Sequence, residues 1–147
     1  MEQNELQNQI TVEVTIIAPV YKVWKVWSYA EDIMQWNAPS DTWHTSFAEI
    51  DFKTGGKFLF RMEAKDKSSG FDHAGIYTEI VDHQLIRYTG HDGRESIIKF
   101  QPDGGVTHIT EIFEADPQMP LELQRDFCLG VLNNFKKYTE AAFSVAE

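Results

Sequence analysis

Ionisable side chains that could do chemistry are scattered along this sequence rather than grouped in one motif. The five histidines, His44, His73, His83, His91 and His108, include no pair at the spacing of metal ligands on one helix. A Gly-x-Ser-x-Gly sequence of serine hydrolases and a phosphate-binding glycine loop are both missing. We therefore predict no metal site and no cofactor.

His73, His108 and Glu111 are the candidates for polar groups inside the protein. Each lies in a strand-like run with apolar neighbours, and burial would raise the pKa of Glu111 so that it could serve as an acid or base. A strand histidine is more often a hydrogen-bonded structural residue than a catalyst. Tyr77 is a further candidate acid or base, whereas Cys128 is interpreted as an unreactive core thiol.

A second set of charged residues is predicted to face solvent. Arg61 and Glu63 alternate with Phe60 and Met62 along one strand-like run. Successive side chains of a strand point to opposite faces, so Arg61 and Glu63 share the face opposite the apolar pair. We expect them to form a surface ladder without a role in catalysis.

The elements that must position these side chains begin with a short strand and two short helices. Apolar and polar residues alternate over residues 10–16, which predicts a half-buried strand. Pro19 follows that strand, and proline suits the first turn of a helix. Apolar residues then recur at helical spacing, so we predict one helix over 19–28 and another over 31–36.

Six further strand-like runs follow, separated by turn sequences such as Asp92-Gly93 and Asp103-Gly104-Gly105. Asp-Gly between alternating runs is a strong hairpin signal. Short turns join antiparallel strands, because parallel strands need long crossovers, so these runs predict a meander. The predicted strands cover residues 43–53, 57–65, 72–81, 85–91, 94–101 and 106–114.

A long amphipathic helix is predicted after Pro120, interrupted only by Gly130. Its apolar stripe contains Leu121, Cys128, Val131, Leu132, Phe135, Tyr138 and Ala142. A sheet and an amphipathic helix each have one apolar face, and a curved seven-stranded sheet around the helix buries both. We therefore predict an α+β fold with the element order β-α-α-β6-α.

Composition and charge exclude several classes of protein. The 147 residues suffice for one domain, which we predict over 10–147 after a polar leader over 1–9. A net charge of -10 repels phosphate backbones and anionic membranes, so we expect no nucleic-acid partner. No apolar run is long enough for a membrane span, and we expect no membrane insertion. The single cysteine, Cys128, predicts a reducing, cytoplasmic location.

Four short motifs resemble those of a large protein superfamily. They are Ala18-Pro19 with Val23-Trp24, Trp27 and Trp36, the hairpin from Asp51 to Phe60, the strand Gly75-Ile76-Tyr77-Thr78-Glu79-Ile80, and the hairpin from Asp103 to Thr110. In this order they resemble the START and birch-pollen-allergen-like domains, and most closely the branch named after the activator of the heat-shock-protein-90 ATPase. The resemblance covers roughly residues 10–143 and implies the START-like helix-grip fold, in which a curved antiparallel sheet surrounds the long C-terminal helix.

The resemblance also implies an apolar ligand cavity between the sheet and that helix. The side chains expected to line it are Phe58, Phe60, Met62, Ile76, Thr78, Ile98, Phe100, Phe127, Val131, Phe135 and Tyr138, with His73, His108 and Glu111 as polar groups. The alternative is that these residues pack as a filled core. Relatives often carry Gly-Trp in the final helix, where this chain has Gly130-Val131, which implies a wider cavity unless Phe127 fills it.

The resemblance implies three classes of function. Relatives bind lipids, sterols, polyketides or plant phenolics, so the first expectation is a carrier or sensor of a small hydrophobic or aromatic molecule. A cyclase-type or hydrolase-type enzyme with a His, Glu or Tyr acid–base group is the alternative, and a cochaperone-like interaction protein is the second alternative. Chaperone activation belongs to relatives with an additional chaperone-binding domain, so we do not expect it here. The chain is expected to be a monomer or a homodimer.

Overall fold

The computed structural model describes residues 8–146, with side chains up to Phe143. The elements follow in the predicted order, which confirms the α+β helix-grip fold. They are β1 (Gln9–Ile16), α1 (Val20–Ser28), α2 (Ala30–Trp36), β2 (Trp43–Ile50), β3 (Lys57–Ala64), β4 (Gly70–Val81), β5 (Leu85–Gly90), β6 (Glu95–Asp103), β7 (Val106–Glu114) and α3 (Leu121–Ala146). Most of the predicted leader, residues 1–7, lies outside the described residues, and Gln9 already belongs to β1.

The strands form one antiparallel sheet in the spatial order β1-β7-β6-β5-β4-β3-β2. Strands β2 to β7 are the predicted meander, and β1 adds to its end by pairing with β7 from Gln9↔Glu114 to Ile16↔Thr107. The register shifts twice, between Thr45 and Phe47 in β2 and between Tyr77 and Glu79 in β4. Such bulges bend a strand and change which side chains face the core beyond them.

The two short helices pack on different strands, α1 on β6 and β7 and α2 on β2, and an indole hydrogen bond links them to each other. The carbonyl of Pro19 accepts hydrogen bonds from the amides of Lys22 and Val23, which starts α1. The Trp36 Nε1–H at the end of α2 donates to the carbonyl of Val26 in α1, at 3.0 Å. The buried indole thus satisfies its polar atom while its rings join the core.

The long helix α3 lies across the sheet with its central residues in the core. Leu132 and Phe135 are fully buried. Gly130 allows a close approach to the loop after α2, because a Cβ at this position would lie 2.5 Å from the carbonyl oxygen of Pro39. In the described part of the chain, no helix is both long and apolar enough to cross a membrane.

Candidate functional site

A cavity of about 70 Å³ lies between the inner face of the sheet and the helices. It is lined by Trp27, Ile33, Trp36, Asn37, Phe58, Phe60, His73, Tyr77, Ile86, Tyr88, Ile98, Glu111 and Val131. An apolar cavity that admits benzene has about 150 Å³, and pockets for drug-sized ligands have roughly 300–1,000 Å³. The cavity in this conformation therefore holds a few water molecules or part of a small ring.

Aromatic rings occupy most of the space that the fold encloses. Phe58 is central, with its ring centroid 5.0 Å from that of Phe60, 5.1 Å from that of Tyr77 and 5.0 Å from that of Tyr88. Its ring also fills the space beside Gly75, where a Cβ would lie 3.0 Å from the ring. The interior is thus mainly a packed core with a small void at its centre.

Glu111 on β7 is the one carboxyl group among the residues that line this cavity. Its cross-strand neighbours are Ile98 on β6 and Val12 on β1, so the side chains next to it on both adjacent strands are aliphatic. Burial in this environment raises the pKa of Glu111 to about 7. Among the described residues its carboxyl group has no hydrogen-bond partner or ion-pair partner. Glu111 is therefore a group that exchanges a proton near neutral pH inside an apolar cavity.

His73 and Tyr88 form a polar pair on the same inner face. The Tyr88 hydroxyl lies 3.3 Å from His73 Nε2, within hydrogen-bond distance. Burial, and then the positive charge of Arg94, lowers the pKa of His73 to about 4. Burial raises the pKa of the Tyr88 hydroxyl above its ordinary range, and the charge of Glu111 adds to this shift. At neutral pH both members of the pair are therefore uncharged.

Asn37 contributes the cavity's unpartnered amide. The residue is 8% exposed, and its Nδ2 atom is buried without a hydrogen-bond partner among the described residues. Its backbone is held firmly, because the Thr45 hydroxyl donates to the Asn37 carbonyl at 2.6 Å. The preceding carbonyl, of Trp36, accepts a hydrogen bond from Asn134 Nδ2 of α3 at 2.8 Å. A fixed backbone thus presents a free amide donor at the cavity wall.

Cys128 of α3 lies close to this site but has no reactive character. Burial raises the pKa of its thiol, with the negative charge of Glu111 as the second cause. A thiol that stays protonated is a poor nucleophile, in agreement with the interpretation of a core residue. Within residues 8–146, no group of three His, Cys, Asp or Glu side chains is arranged to hold a metal ion.

The sequence profile of one protein family matches most of the chain that forms this site. The profile is described as activator of Hsp90 ATPase homolog 1-like protein and matches residues 17–126. The chain belongs to this family. The match begins directly after β1, runs into the start of α3 and includes all of the lining residues except Val131.

Solved structures of other proteins share the fold over nearly the whole chain. An AHSA1-like protein from Aeromonas hydrophila is 36% identical with a TM-score of 0.84, covering 91% of this chain and 93% of that protein. A protein from Cytophaga hutchinsonii is 43% identical with a TM-score of 0.78, covering 94% and 96%. A protein from Nitrosomonas europaea at 17% identity and a TM-score of 0.80, covering 97% and 99%, shares the fold. No curated protein matches the sequence.

Part of the predicted lining lies at the cavity of this family member. Phe58, Phe60, Ile98 and Val131 line it, together with the polar groups His73 and Glu111. Met62, Phe100 and Phe135 are buried in the core outside the lining. Phe135, for example, lies behind the cavity wall, with its ring 4.9 Å from Trp27 and 4.8 Å from Trp36.

Two aromatic residues of α3 that were expected at the cavity point elsewhere. The Phe127 ring packs against Trp43 and Phe71 at centroid distances of 5.8 and 5.9 Å, near the start of the helix. The Tyr138 hydroxyl donates to Asp32 Oδ1 of α2 at 2.7 Å. Only the middle of the predicted stripe, at Val131, reaches the void.

Ile76, Thr78 and His108 were wrongly expected to face the interior. Ile76 is 44% exposed, and Thr78 is exposed beside it on the outer face. The inner positions of β4 belong instead to His73, Gly75 and Tyr77, and the empty position at Gly75 hides this alternation in the sequence.

His108 lies on the outer face of β7. Its Nδ1 lies 2.8 Å from the Thr15 hydroxyl, and its Nε2 lies 3.4 Å from Asp103 Oδ2. His108 and Glu111 are three residues apart on one strand, so they point to opposite faces. Their side chains are therefore separated by the sheet, although both were expected inside the cavity.

The predicted outer ladder is confirmed. Arg61 Nε donates to Glu63 at 3.0 Å, and its Nη1 donates to Asp72 at 3.3 Å. His44 adds a further contact to Glu63 at 3.6 Å. These groups lie on the face opposite the cavity, where the charges of Arg61 and Glu63 remain in water.

A wider groove of about 780 Å³ lies on the surface, between the β4–β5 turn and the end of β6. Phe100 and His83 contribute to its wall. This groove is open to solvent, and the buried unpartnered polar groups described above are not part of it. The interior cavity is therefore the better candidate for a specific site.

Proposed function

We propose that the protein binds a small, mainly apolar molecule in the cavity between the sheet and α3, as a carrier or sensor. The observation that carries the proposal is the unpartnered carboxyl group of the half-buried Glu111 at the wall of a mainly apolar void. An ionisable group buried without a partner destabilises a fold. A side chain used only for packing would be apolar at this position, whereas a ligand gives Glu111 a partner.

The cavity's volume favours a ring-sized ligand over a long-chain lipid. About 70 Å³ is available at present, so even a single ring requires the lining to move outward. Val131 is the residue of α3 that borders the void, and its short side chain leaves room for that adjustment. We propose phenolic or other cyclic molecules as the ligand type.

The proposed setting is the cytoplasm, with the protein as a monomer or a homodimer. The partly buried, unpaired thiol of Cys128 supports a reducing compartment.

Titration with toluene tests the proposal. The indole N–H signals of Trp27 and Trp36, which line the cavity, should shift in NMR spectra and saturate at one toluene per protein. Val131→Trp fills the void and should weaken binding by about tenfold or more. Leu123→Trp, at a 54% exposed position of the same helix, is the matched control and should bind as the wild type does. Equal toluene affinity in the folded Val131→Trp variant would show that the cavity is not the binding site.

Acid–base catalysis at Glu111 is a second candidate function. One observation favours it, since a pKa of about 7 places Glu111 where a side chain both accepts and donates protons efficiently. The carboxylate would remove a proton from a carbon next to a carbonyl group of a bound ligand and later return one. Cyclohexanone in heavy water tests this idea, because the protein should accelerate deuterium incorporation at those carbons. Glu111→Gln should abolish the acceleration, and an unchanged rate in this variant excludes the role.

A further inference from the structure

We propose that the cavity selects uncharged cyclic molecules that carry a carbonyl oxygen, with the carboxylic acid of Glu111 and the amide of Asn37 as the two hydrogen-bond donors. This inference rests on the proposed binding function and specifies its ligand class. It is carried by the buried, unpartnered Nδ2 atom of Asn37 and by the carboxyl group of Glu111, which line the same cavity.

The environment of Glu111 favours the protonated carboxyl group, and we infer that this form binds the ligand. The residues lining the cavity include no lysine and no arginine, so no cation compensates an ionised carboxylate there. Its neighbours in the sheet, Ile98 and Val12, offer no hydrogen bond from their side chains. The raised pKa of Glu111 agrees with this arrangement. A protonated carboxyl group in an apolar cavity is a strong hydrogen-bond donor.

The other titratable groups around Glu111 stay uncharged near neutral pH. They are Tyr88 on β5 and Cys128 on α3, which sense its charge, and His73 and Tyr77 on β4, which line the same cavity. Burial raises the pKa values of Tyr88, Cys128 and Tyr77, and burial lowers the pKa of His73 to about 4. Arg94 acts on His73 and Cys128 but is not part of the lining. Glu111 is therefore the group whose titration changes the charge of the cavity around neutral pH.

Glu111 by itself could bind ligands of several classes, and Asn37 favours one of these classes. Its buried Nδ2 atom needs an acceptor, which a carbonyl oxygen supplies and an ammonium group does not. A carboxylate ligand would find no cation in the lining and would meet Glu111 as a second acid. His73 Nε2 already has the Tyr88 hydroxyl as a partner. The free polar groups are therefore chiefly donors, and a neutral acceptor complements them.

The remaining lining explains the cyclic, apolar body of the ligand. Phe60, Trp27 and Val131 border the void with carbon atoms, and aromatic rings surround it on several sides. A compact ring requires less outward movement of these side chains than a chain of the same carbon number.

Cyclohexanone and methylenecyclohexane form the probe pair, because they have the same shape and differ in a C=O or a C=CH2 group. The Trp27 and Trp36 indole signals report the binding of each probe. The quantity compared is the affinity for cyclohexanone divided by the affinity for methylenecyclohexane. Comparing this ratio between variants cancels the different hydration of the two probes. Glu111→Leu should lower the ratio by about tenfold, and Asn37→Leu should lower it by a similar factor, since each removes one donor.

The pH dependence provides the second measurement. In the wild type the affinity for cyclohexanone should fall above pH 7, by about tenfold in total, because only the protonated carboxyl group donates. In Glu111→Gln, whose amide still donates, the affinity should not change between about pH 6 and about pH 8.5. The affinity for methylenecyclohexane should depend on pH much less in both proteins.

The outcomes separate this inference from the proposed function. If both probes bind and neither pH nor Glu111→Leu changes their ratio, the carbonyl selectivity is wrong and the binding function stands. If cyclohexylammonium binds more tightly as the pH rises in the wild type but not in Glu111→Gln, the cavity selects cations and the inference is overturned. If neither toluene nor either probe binds, the binding function itself fails.

Discussion

Phe58 and Gly75 face each other across β3 and β4, and the ring of one occupies the side-chain space of the other. A Cβ on Gly75 would lie 3.0 Å from the Phe58 ring and 2.6 Å from the carbonyl oxygen of Thr89. The missing side chain therefore leaves room for the ring, which lines the cavity.

Gly75→Ala should destabilise the protein by about 1–3 kcal/mol, because the added methyl group meets both the ring and the backbone of β5. Chemical denaturation measures the change. Gly105→Ala is the control, since a Cβ at that turn position has no atom within 4 Å. Equal stability of the two variants would show that the Phe58 ring moves aside without cost.

Glu111→Gln should change how stability depends on pH. The pKa of Glu111 is raised to about 7 in the folded state, so the folded protein binds the extra proton that the unfolded chain releases above about pH 4.5. Wild-type stability from this group is complete below pH 4.5 and is lost as the pH rises through 7. The glutamine variant should therefore gain stability relative to the wild type over this range, by on the order of 3 kcal/mol in total.

Two other titratable residues bear on that measurement. The pKa of His73 is lowered to about 4, so its contribution changes in the opposite direction with pH and cancels when the two proteins are compared. Glu63→Gln is a control in which the stability difference from the wild type should have the opposite sign. The reason is that Arg61 lowers the pKa of Glu63 on the outer face. That variant should lose stability relative to the wild type at neutral pH, and the loss should vanish as the pH falls. A flat difference for Glu111→Gln would mean that Glu111 is in contact with water.

Tyr88→Phe should destabilise the fold by about 1–2 kcal/mol, because His73 Nε2 loses its partner at 3.3 Å while remaining buried. The nitrogen chemical shifts of the His73 ring should also change, since the hydroxyl fixes which nitrogen carries the proton. Tyr77→Phe is the matched control, because the Tyr77 hydroxyl has no hydrogen bond among the described residues. Unchanged ring nitrogen shifts in Tyr88→Phe would contradict the contact.

Gly130→Ala should lower stability, although glycine to alanine within a helix usually raises it by about 1 kcal/mol. The reason is the approach of α3 to Pro39, whose carbonyl oxygen lies 2.5 Å from the position of the added Cβ. Thermal unfolding checks the sign of the change. An increase in melting temperature would mean that α3 shifts away from the loop easily.

The order of elements was predictable because period and turn chemistry are local properties. Alternating apolar and polar residues predict β1, an apolar stripe at helical spacing predicts α3, and turns such as Asp92-Gly93 separate the strands. The long helix could be predicted to cross the sheet because neither element could otherwise bury its apolar face. Family-level motifs were consistent with the same arrangement.

The inner face of β4 was not predictable in the same way. Gly75 occupies an inner position without adding an apolar signal, and the bulge between Tyr77 and Glu79 then breaks the alternation. Ile76 therefore looked like a core residue although it faces outward.

Other lining residues were missed for two different reasons. Tyr88 was recoverable in principle, because it alternates with Ile86 along β5 and shares its inner face. Asn37 had no signal, since a residue just after a short helix reaches the cavity only through the packing of α2 on β2 and α3.

The position of Asn37 makes the cavity a point of mechanical connection. Its own carbonyl accepts a hydrogen bond from Thr45 of β2. The carbonyl of the adjacent Trp36 accepts a hydrogen bond from Asn134 of α3, and the Trp36 indole donates one to Val26 of α1. A ligand that accepts a hydrogen bond from the Asn37 amide thereby restrains a segment that three elements share. Local opening of α1, β2 and α3 then becomes rarer in concert, so amide hydrogen exchange should slow in all three when the cavity is occupied.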